Sequence, residues 1–196
     1  MLKNGRIVAF TNKDKELMKN IIKQLTQNGL RILAFSFANT DLQSKKIPEM
    51  TFAGFYAMED AIRKEVVGAV KRVKKAGMKT IMITGDHKLT AIAIARQAGI
   101  YKEGDLVLTD NDLEKMSERE LSNVINKVSV FARISPGNKT KIIDAYRSKG
   151  EIVAMTGDGV NDAPSLVAAD LGVAMGGIGT SVAKDASDII LLDDNF

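Results

Sequence analysis

Met155-Thr156-Gly157-Asp158-Gly159-Val160-Asn161-Asp162-Ala163-Pro164 is the stretch from which the fold can be read. It follows a short apolar run, Ile152-Val153-Ala154, and leads into a helical pattern, so it reads as the turn leaving a buried strand. Two carboxylates and an amide are concentrated there beside two glycines. Oxygen ligands of that kind at the carboxyl end of a strand suit a hard divalent cation, Mg²⁺ above all. The glycines let the backbone turn tightly, and the helix start that follows favours phosphate. The bland alternative is an acidic turn with Asp158 or Asp162 capping a helix. The density of such residues within one turn argues against it.

The same words occur earlier. Ile81-Met82-Ile83-Thr84-Gly85-Asp86-His87 also follows an apolar run and leads into a helix from Lys88 to about Ala98. A threonine at a strand end can give its hydroxyl, and Gly85 its amide, to a phosphoryl oxygen. Between the two lies Phe131-Ala132-Arg133-Ile134-Ser135-Pro136-Gly137-Asn138-Lys139, where a third strand over 128–132 gives way to a helix starting at Ser135 and Pro136. Lys139 falls in that helix's first turn, an unfavourable place for a cation by the helix dipole alone. A lysine there is either solvated or offset by an anion. Hydroxyl, lysine and carboxylates at three strand ends of one α/β domain together describe a Mg²⁺–phosphoryl site.

TGDH at 84–87, SPxxK at 135–139 and TGDGVNDAP at 156–164, in that order, resemble the phosphorylation domain of P-type cation-transporting ATPases, which belong to the haloacid dehalogenase-like superfamily. Further matching segments are Gly29 to Ala34, Gly172 to Gly176, Val182 to Asp188 and the ending Leu192 to Phe196, so the resemblance covers nearly the whole chain. It implies an aspartyl phosphate formed from ATP and hydrolysed by water while cations cross a membrane. It also implies roles for single residues. Asp158 resembles the Mg²⁺ ligand, with Asp162 and Asn161 ordering the metal shell and phosphoryl oxygens. Thr84 and Gly85 resemble the pair that hydrogen-bonds the transferred phosphoryl group, with Asp86 holding their loop and Lys139 neutralising charge. Arg31 resembles the arginine that reaches the ATP phosphates. The single histidine, His87, reads as a polar residue at a helix start and carries no catalytic role.

One departure matters most. The family's carboxylate nucleophile is the first Asp of DKTGT, and no DKTGT occurs here. Asp193 and Asp194 follow an apolar strand but lack DxD spacing, and Asp41 follows no strong strand. The chain is therefore expected to be a fragment starting downstream of the nucleophile and stopping before further transmembrane helices. Its expected partners are ATP, the actuator domain, the rest of the nucleotide-binding domain, the membrane helices and the transported cation, at the cytoplasmic face of a membrane. A free-standing Mg²⁺-dependent phosphatase of the same superfamily, or a non-catalytic Mg²⁺- or nucleotide-binding module, are the alternatives. The wording TGDH with VAKDASDIIL resembles the calcium and sodium/potassium branch, and calcium is preferred.

Composition agrees with a soluble α/β chain. Of 196 residues, 45% are hydrophobic and 27% charged, ordinary for a globular protein. No apolar run approaches the roughly 18 residues that span a bilayer, and Lys3, Asn4 and Arg6 interrupt any signal-peptide start. With no cysteine there are neither disulfides nor thiolate metal sites. A net charge of +4, scattered along helices without aromatic interleaving, argues against nucleic acid as a partner.

Periodicity supplies the organisation. Strands are predicted at 5–10, 30–37, 51–57, 79–83, 105–108, 128–132, 151–155, 171–175 and 188–192. Helices are predicted at 13–28, 62–76, 88–98, 117–126, 136–148, 162–169 and 180–186, with 38–49 a polar loop. Repeated βα units predict a doubly wound, mostly parallel sheet of the haloacid dehalogenase-like, Rossmannoid kind over 60–196. Residues 1–59 read as the α+β end of a nucleotide-binding domain. The family's DPPR hinge becomes Asp60-Ala61-Ile62-Arg63, without the prolines that would stiffen it. A sheet lacking its nucleophile-bearing inner strand is expected to expose backbone groups, to be offset by self-association or partial disorder at the gap.

Overall fold

A computed structural model describes residues 1–39, 48–58 and 62–195. Asp41, Asp60 and Ala61, and most of the predicted polar loop, lie outside the described residues. The chain divides into two compact units, Met1–Ala61 and Ile62–Phe196.

The first unit begins with a short antiparallel hairpin, β1 (Leu2–Lys3) and β2 (Arg6–Ile7). The strand predicted over 5–10 is thus cut down. Asn4 and Gly5 both take positive φ (50° and 76°), the two-residue turn that reverses a chain tightly. Helix α1 (Asn12–Gln27) starts in a capping box, with the Asp14 amide donating to Thr11 Oγ1 at 3.2 Å and the Thr11 amide to Asp14 Oδ2 at 3.0 Å. It ends at Gly29, whose φ of 87° is open to glycine at low cost. Strands β3 (Arg31–Phe37) and β4 (Thr51–Met58) then pair antiparallel, Arg31 opposite Met58 and Phe37 opposite Thr51. Leu33, Phe35, Phe37, Tyr56 and Met58 are exposed, Phe35 and Tyr56 meeting edge to face with ring centres 5.7 Å apart. Among the described residues of this unit no side chain is fully buried.

The second unit alternates strands and helices: α2 (Val66–Lys75), β5 (Met82–Thr84), α3 (Lys88–Gln97), β6 (Leu106–Thr109), α4 (Asp110–Lys115), α5 (Glu118–Val124), β7 (Val128–Ala132), α6 (Pro136–Arg147), β8 (Ala154–Gly157), α7 (Ala163–Ala168), β9 (Leu171–Met175), α8 (Ser181–Asp185) and β10 (Ile189–Leu191). Every pairing in it is parallel, as the βα repetition predicts. The strands form two three-stranded sheets, ordered β5-β7-β6 and β10-β9-β8. Both β5 and β8 are edge strands.

Central strand β7 is buried along its whole length, as a strand covered on both faces must be. Phe131 joins Leu108, Ile125, Ile142 and Tyr146 in one cluster, whereas Val130 and Ala132 pack with Ala91 and Ala95 of α3 in another. A third cluster gathers Ile143, Met155, Leu166, Ala174 and Ala183 around the second sheet. Consecutive residues of α6, Ile142 and Ile143, thus enter different clusters, and this helix joins the two sheets. At the far end, Arg63 Nη1 donates to the carbonyl of Asp194 at 2.8 Å, while the Asp194 carboxylate accepts from the amides of Gly177 and Ile178.

Candidate functional site

Parallel pairing brings the turns after β5 and β7 to one end of the first sheet, while the turn after β8 belongs to the second. Thr84 and Thr109 are both in register with Ala132, so β5, β6 and β7 end level with one another. Beyond Thr84 the chain folds onto itself. The Asp86 amide donates to Thr84 Oγ1 and that hydroxyl donates to Asp86 Oδ2, each at 3.1 Å. This closure, an ST turn, fixes the threonine rotamer. His87 is the N-cap of α3, its Nδ1 accepting from the Leu89 amide at 3.3 Å, as its reading as a helix-start residue implies.

The turn after β7 is stitched to that loop. Amides of Arg133 and Ile134 donate to the carbonyls of Asp86 and Thr84 at 3.0 and 3.1 Å, and Arg133 takes a left-handed φ of 55° to do so. Pro136, at the first position of α6, loses no hydrogen bond there. One turn on, Lys139 Nζ meets Asp162 Oδ1 in an ion pair with side-chain exposures of only 12% and 14%. The anion that offsets a lysine set against the helix dipole is therefore a carboxylate of the same chain.

Asp162 does more than pair. Its Oδ2 accepts the amides of Asp158 and Gly159 at 3.2 and 3.0 Å, so one carboxylate gathers the whole turn after β8. Burial works against its charge, but the Lys139 hydrogen bond and these amides outweigh it and hold the carboxyl below its ordinary value. A side chain at Gly157 would place Cβ 2.6 Å from Asp162 Cβ, which explains the glycine. The Asp158 carbonyl accepts the Thr180 amide at 2.8 Å, tying the turn to the start of α8.

Asp158 and Asn161 are exposed, and among the described residues none engages the Asp158 carboxylate or the Asn161 amide. With both Asp162 oxygens committed, the donors left are one carboxylate and one amide oxygen. That set fits Mg²⁺, which usually keeps several waters and takes one or two carboxylates plus phosphate oxygens. No group of three or more His, Cys, Asp or Glu suited to a metal occurs among the described residues.

Thr84, Gly85 and Asp86 are thus linked through the start of α6 to Lys139, Asp162 and Asp158. Arg31 belongs to the other unit, at the beginning of β3. Sequence reasoning missed Thr180 and Asp110. Asp110 Oδ2 accepts the Ser135 amide and its Oδ1 accepts from Asn138 Nδ2, at 2.9 and 3.1 Å. The signal was present as Thr109-x-x-Asp112, a capping-box spacing that marks a helix start.

Comparison with known proteins adds the following. Residues 43–170 match the family model of haloacid dehalogenase-like hydrolases, and residues 1–65 match that of P-type ATPase cytoplasmic domain N. The chain is 46% identical over 201 residues to calcium-transporting ATPase 1 of Bacillus cereus, covering 100% of this chain and 22% of that protein. It is 41% identical over 201 residues to calcium-transporting ATPase 1 of Saccharomyces cerevisiae, covering 99% and 21%. With calcium-transporting ATPase type 2C member 1 of Bos taurus, identity is 40% over 192 residues, covering 98% and 20%. The chain therefore spans about a fifth of the length of these relatives. No helix among the described residues is long and apolar enough to cross a membrane.

Proposed function

We propose, from the premise that this chain belongs to the haloacid dehalogenase-like hydrolases and among them to the P-type ATPases, that it is the phosphoryl-handling part of an ATP-driven cation pump. Residues 1–59 are then the end of the nucleotide-binding domain and 60–196 most of the phosphorylation domain. The single observation that carries this reading is the largely buried Lys139–Asp162 pair, joined through the start of α6 to the Thr84-Gly85-Asp86 loop.

In that role the Thr84 hydroxyl and Gly85 amide hydrogen-bond the transferred phosphoryl group. Asp86 keeps the Thr84 rotamer fixed, so no reorganisation is needed as charge develops. Lys139 brings a positive charge to the phosphoryl oxygens and is held in place by Asp162, which also sets the backbone of the Asp158 turn. Asp158, with Asn161 beside it, would hold Mg²⁺, which when bound neutralises phosphoryl charge. Arg31 serves the ATP phosphates from the nucleotide-binding part. The nucleophilic carboxylate comes from a strand carrying DKTGT elsewhere in the intact pump. Two separate parallel sheets, whose site-bearing edge strands β5 and β8 each lack one neighbour, support a place for that strand between them. The similarity to calcium-transporting ATPases favours Ca²⁺ as the transported ion. The actuator domain and membrane helices complete the machine, at the cytoplasmic face of the membrane.

Hydrolysis of a small aryl phosphate by this chain, with and without Mg²⁺, tests the reading. No turnover is expected in either condition, together with Mg²⁺ binding in the presence of inorganic phosphate that Asp158→Asn weakens. Mg²⁺-dependent turnover abolished by Asp158→Asn would instead identify a free-standing phosphatase with its own nucleophile.

A further inference from the structure

We propose that Asp110 is a positioning residue for Lys139, fixing the first turn of α6 so that the ammonium meets Asp162. The functional weight of this assignment rests on the phosphoryl-site reading above; its geometry does not.

Helix α6 begins without a side-chain cap of its own, since the Ser135 hydroxyl bonds no amide of the first turn. A carboxylate from a different element does the work. Asp110, the first residue of α4, sits directly after Thr109 at the level end of the first sheet. One of its oxygens takes the Ser135 amide and the other the Asn138 side-chain amide, which is buried. The two contacts fall on the N-cap and on the residue immediately before Lys139. Clamping both ends of one helical turn removes the fraying expected at a helix terminus.

Rotation is what this prevents. Successive helical residues are about 100° apart around the axis, so a slip of one residue would turn Lys139 away from Asp162. Electrostatics favours the same arrangement, because a carboxylate at the positive end of α6 offsets the unfavourable placement of the lysine there. Burial opposes the charge on Asp110, but the Ser135 and Asn138 bonds outweigh it and keep its carboxyl below the ordinary value. The clamp is thus ionised throughout the neutral range.

The exchange of partners provides the test. Amine acylation of the whole chain is followed by peptide mapping, and the Lys139 rate is divided by that of Lys19, whose side chain is 70% exposed. Asn138→Asp sets two carboxylates against each other and is expected to speed Lys139 labelling about tenfold, the scale of losing one charge-assisted hydrogen bond. Adding Asp110→Asn restores an amide–carboxylate pair in the opposite sense, still with an acceptor for the Ser135 amide, and is expected to return the rate to that of the wild type. A Lys139 rate unchanged by Asn138→Asp, or one not rescued by the double exchange although the protein is folded by circular dichroism, overturns the assignment. Labelling requires neither phosphate nor Mg²⁺, so failure of the pump reading would leave this result standing, and the reverse holds too.

Discussion

Phe35 and Phe131 are the same residue type in strands of the same chain, yet one is 48% exposed and the other fully buried. The difference is that between the two units. Among the described residues of Met1–Ala61, one helix and two two-stranded sheets leave apolar side chains of β3 and β4 to solvent. In Ile62–Phe196, helices close over strands and three clusters form. Apolar content alone does not make a core; a second layer does. An isolated pair of strands is marginal in water, so the first unit depends on local devices such as its capping box, and the second on packing.

The contrast can be broken most sharply at the phenylalanines. Phe131→Ala is expected to destabilise the second unit by about 3–5 kcal/mol in denaturant unfolding, and Phe35→Ala to change stability by no more than about 0.5 kcal/mol. Equal losses would erase the distinction. Next in size is Lys139→Met. It leaves the half-buried Asp162 carboxylate with only amide partners and should cost on the order of 2–4 kcal/mol, below the full range for a deeply buried pair because both groups keep some solvent. Its pH dependence has a definite sign. Asp162 has a folded-state pKa below its ordinary 3.8, so the pair's stabilisation is fully present above that value and is lost as pH falls through the lower folded one. The gap between wild type and Lys139→Met should therefore be constant at neutral pH and close below about pH 4. A gap that widened on acidification would refute the pairing.

Gly157→Ala probes whether the site is packed as tightly as the core. The added methyl must displace Asp162, at a cost of about 1–3 kcal/mol, and should also raise the exposure of Lys139 to amine reagents. Smallest is Thr11→Ala in the first unit, which removes the cap of α1. Helical ellipticity should fall slightly while the main thermal transition, set by the second unit, stays in place. A shift of that transition would mean that the units are not independent in stability.

What could be read from the sequence follows the same division between local and distant causes. Strands 128–132 and 171–175 match their predicted bounds, since a run of apolar residues covered on both faces is continuous in sequence. Strands predicted at 79–83 and 151–155 begin later, at Met82 and Ala154. Each borders a sheet and has one neighbour, so pairing rather than apolarity sets its length. The helix Asp110–Lys115 has no apolar periodicity to mark it, only a polar start with a capping box. At the site, Thr84 with Asp86 was legible because the two residues lie in one turn. The Lys139–Asp162 pair spans 23 positions; its need for an anion was visible in the dipole, but which anion answers it depends on how α6 lies across two sheets.

Arg63 and the carbonyl of Asp194 are 2.8 Å apart, one near the beginning and one near the end of the second unit. Topologically the unit is a nearly closed ring, leaving through the door by which it came. Such a module can be spliced into a longer polypeptide without forcing the flanking segments apart, and its own ends can be joined by a short linker and reopened at an exposed turn such as Glu103–Gly104. It also means that tension applied along the flanking chain bears first on this one clasp, and reaches the buried strands only after it has opened.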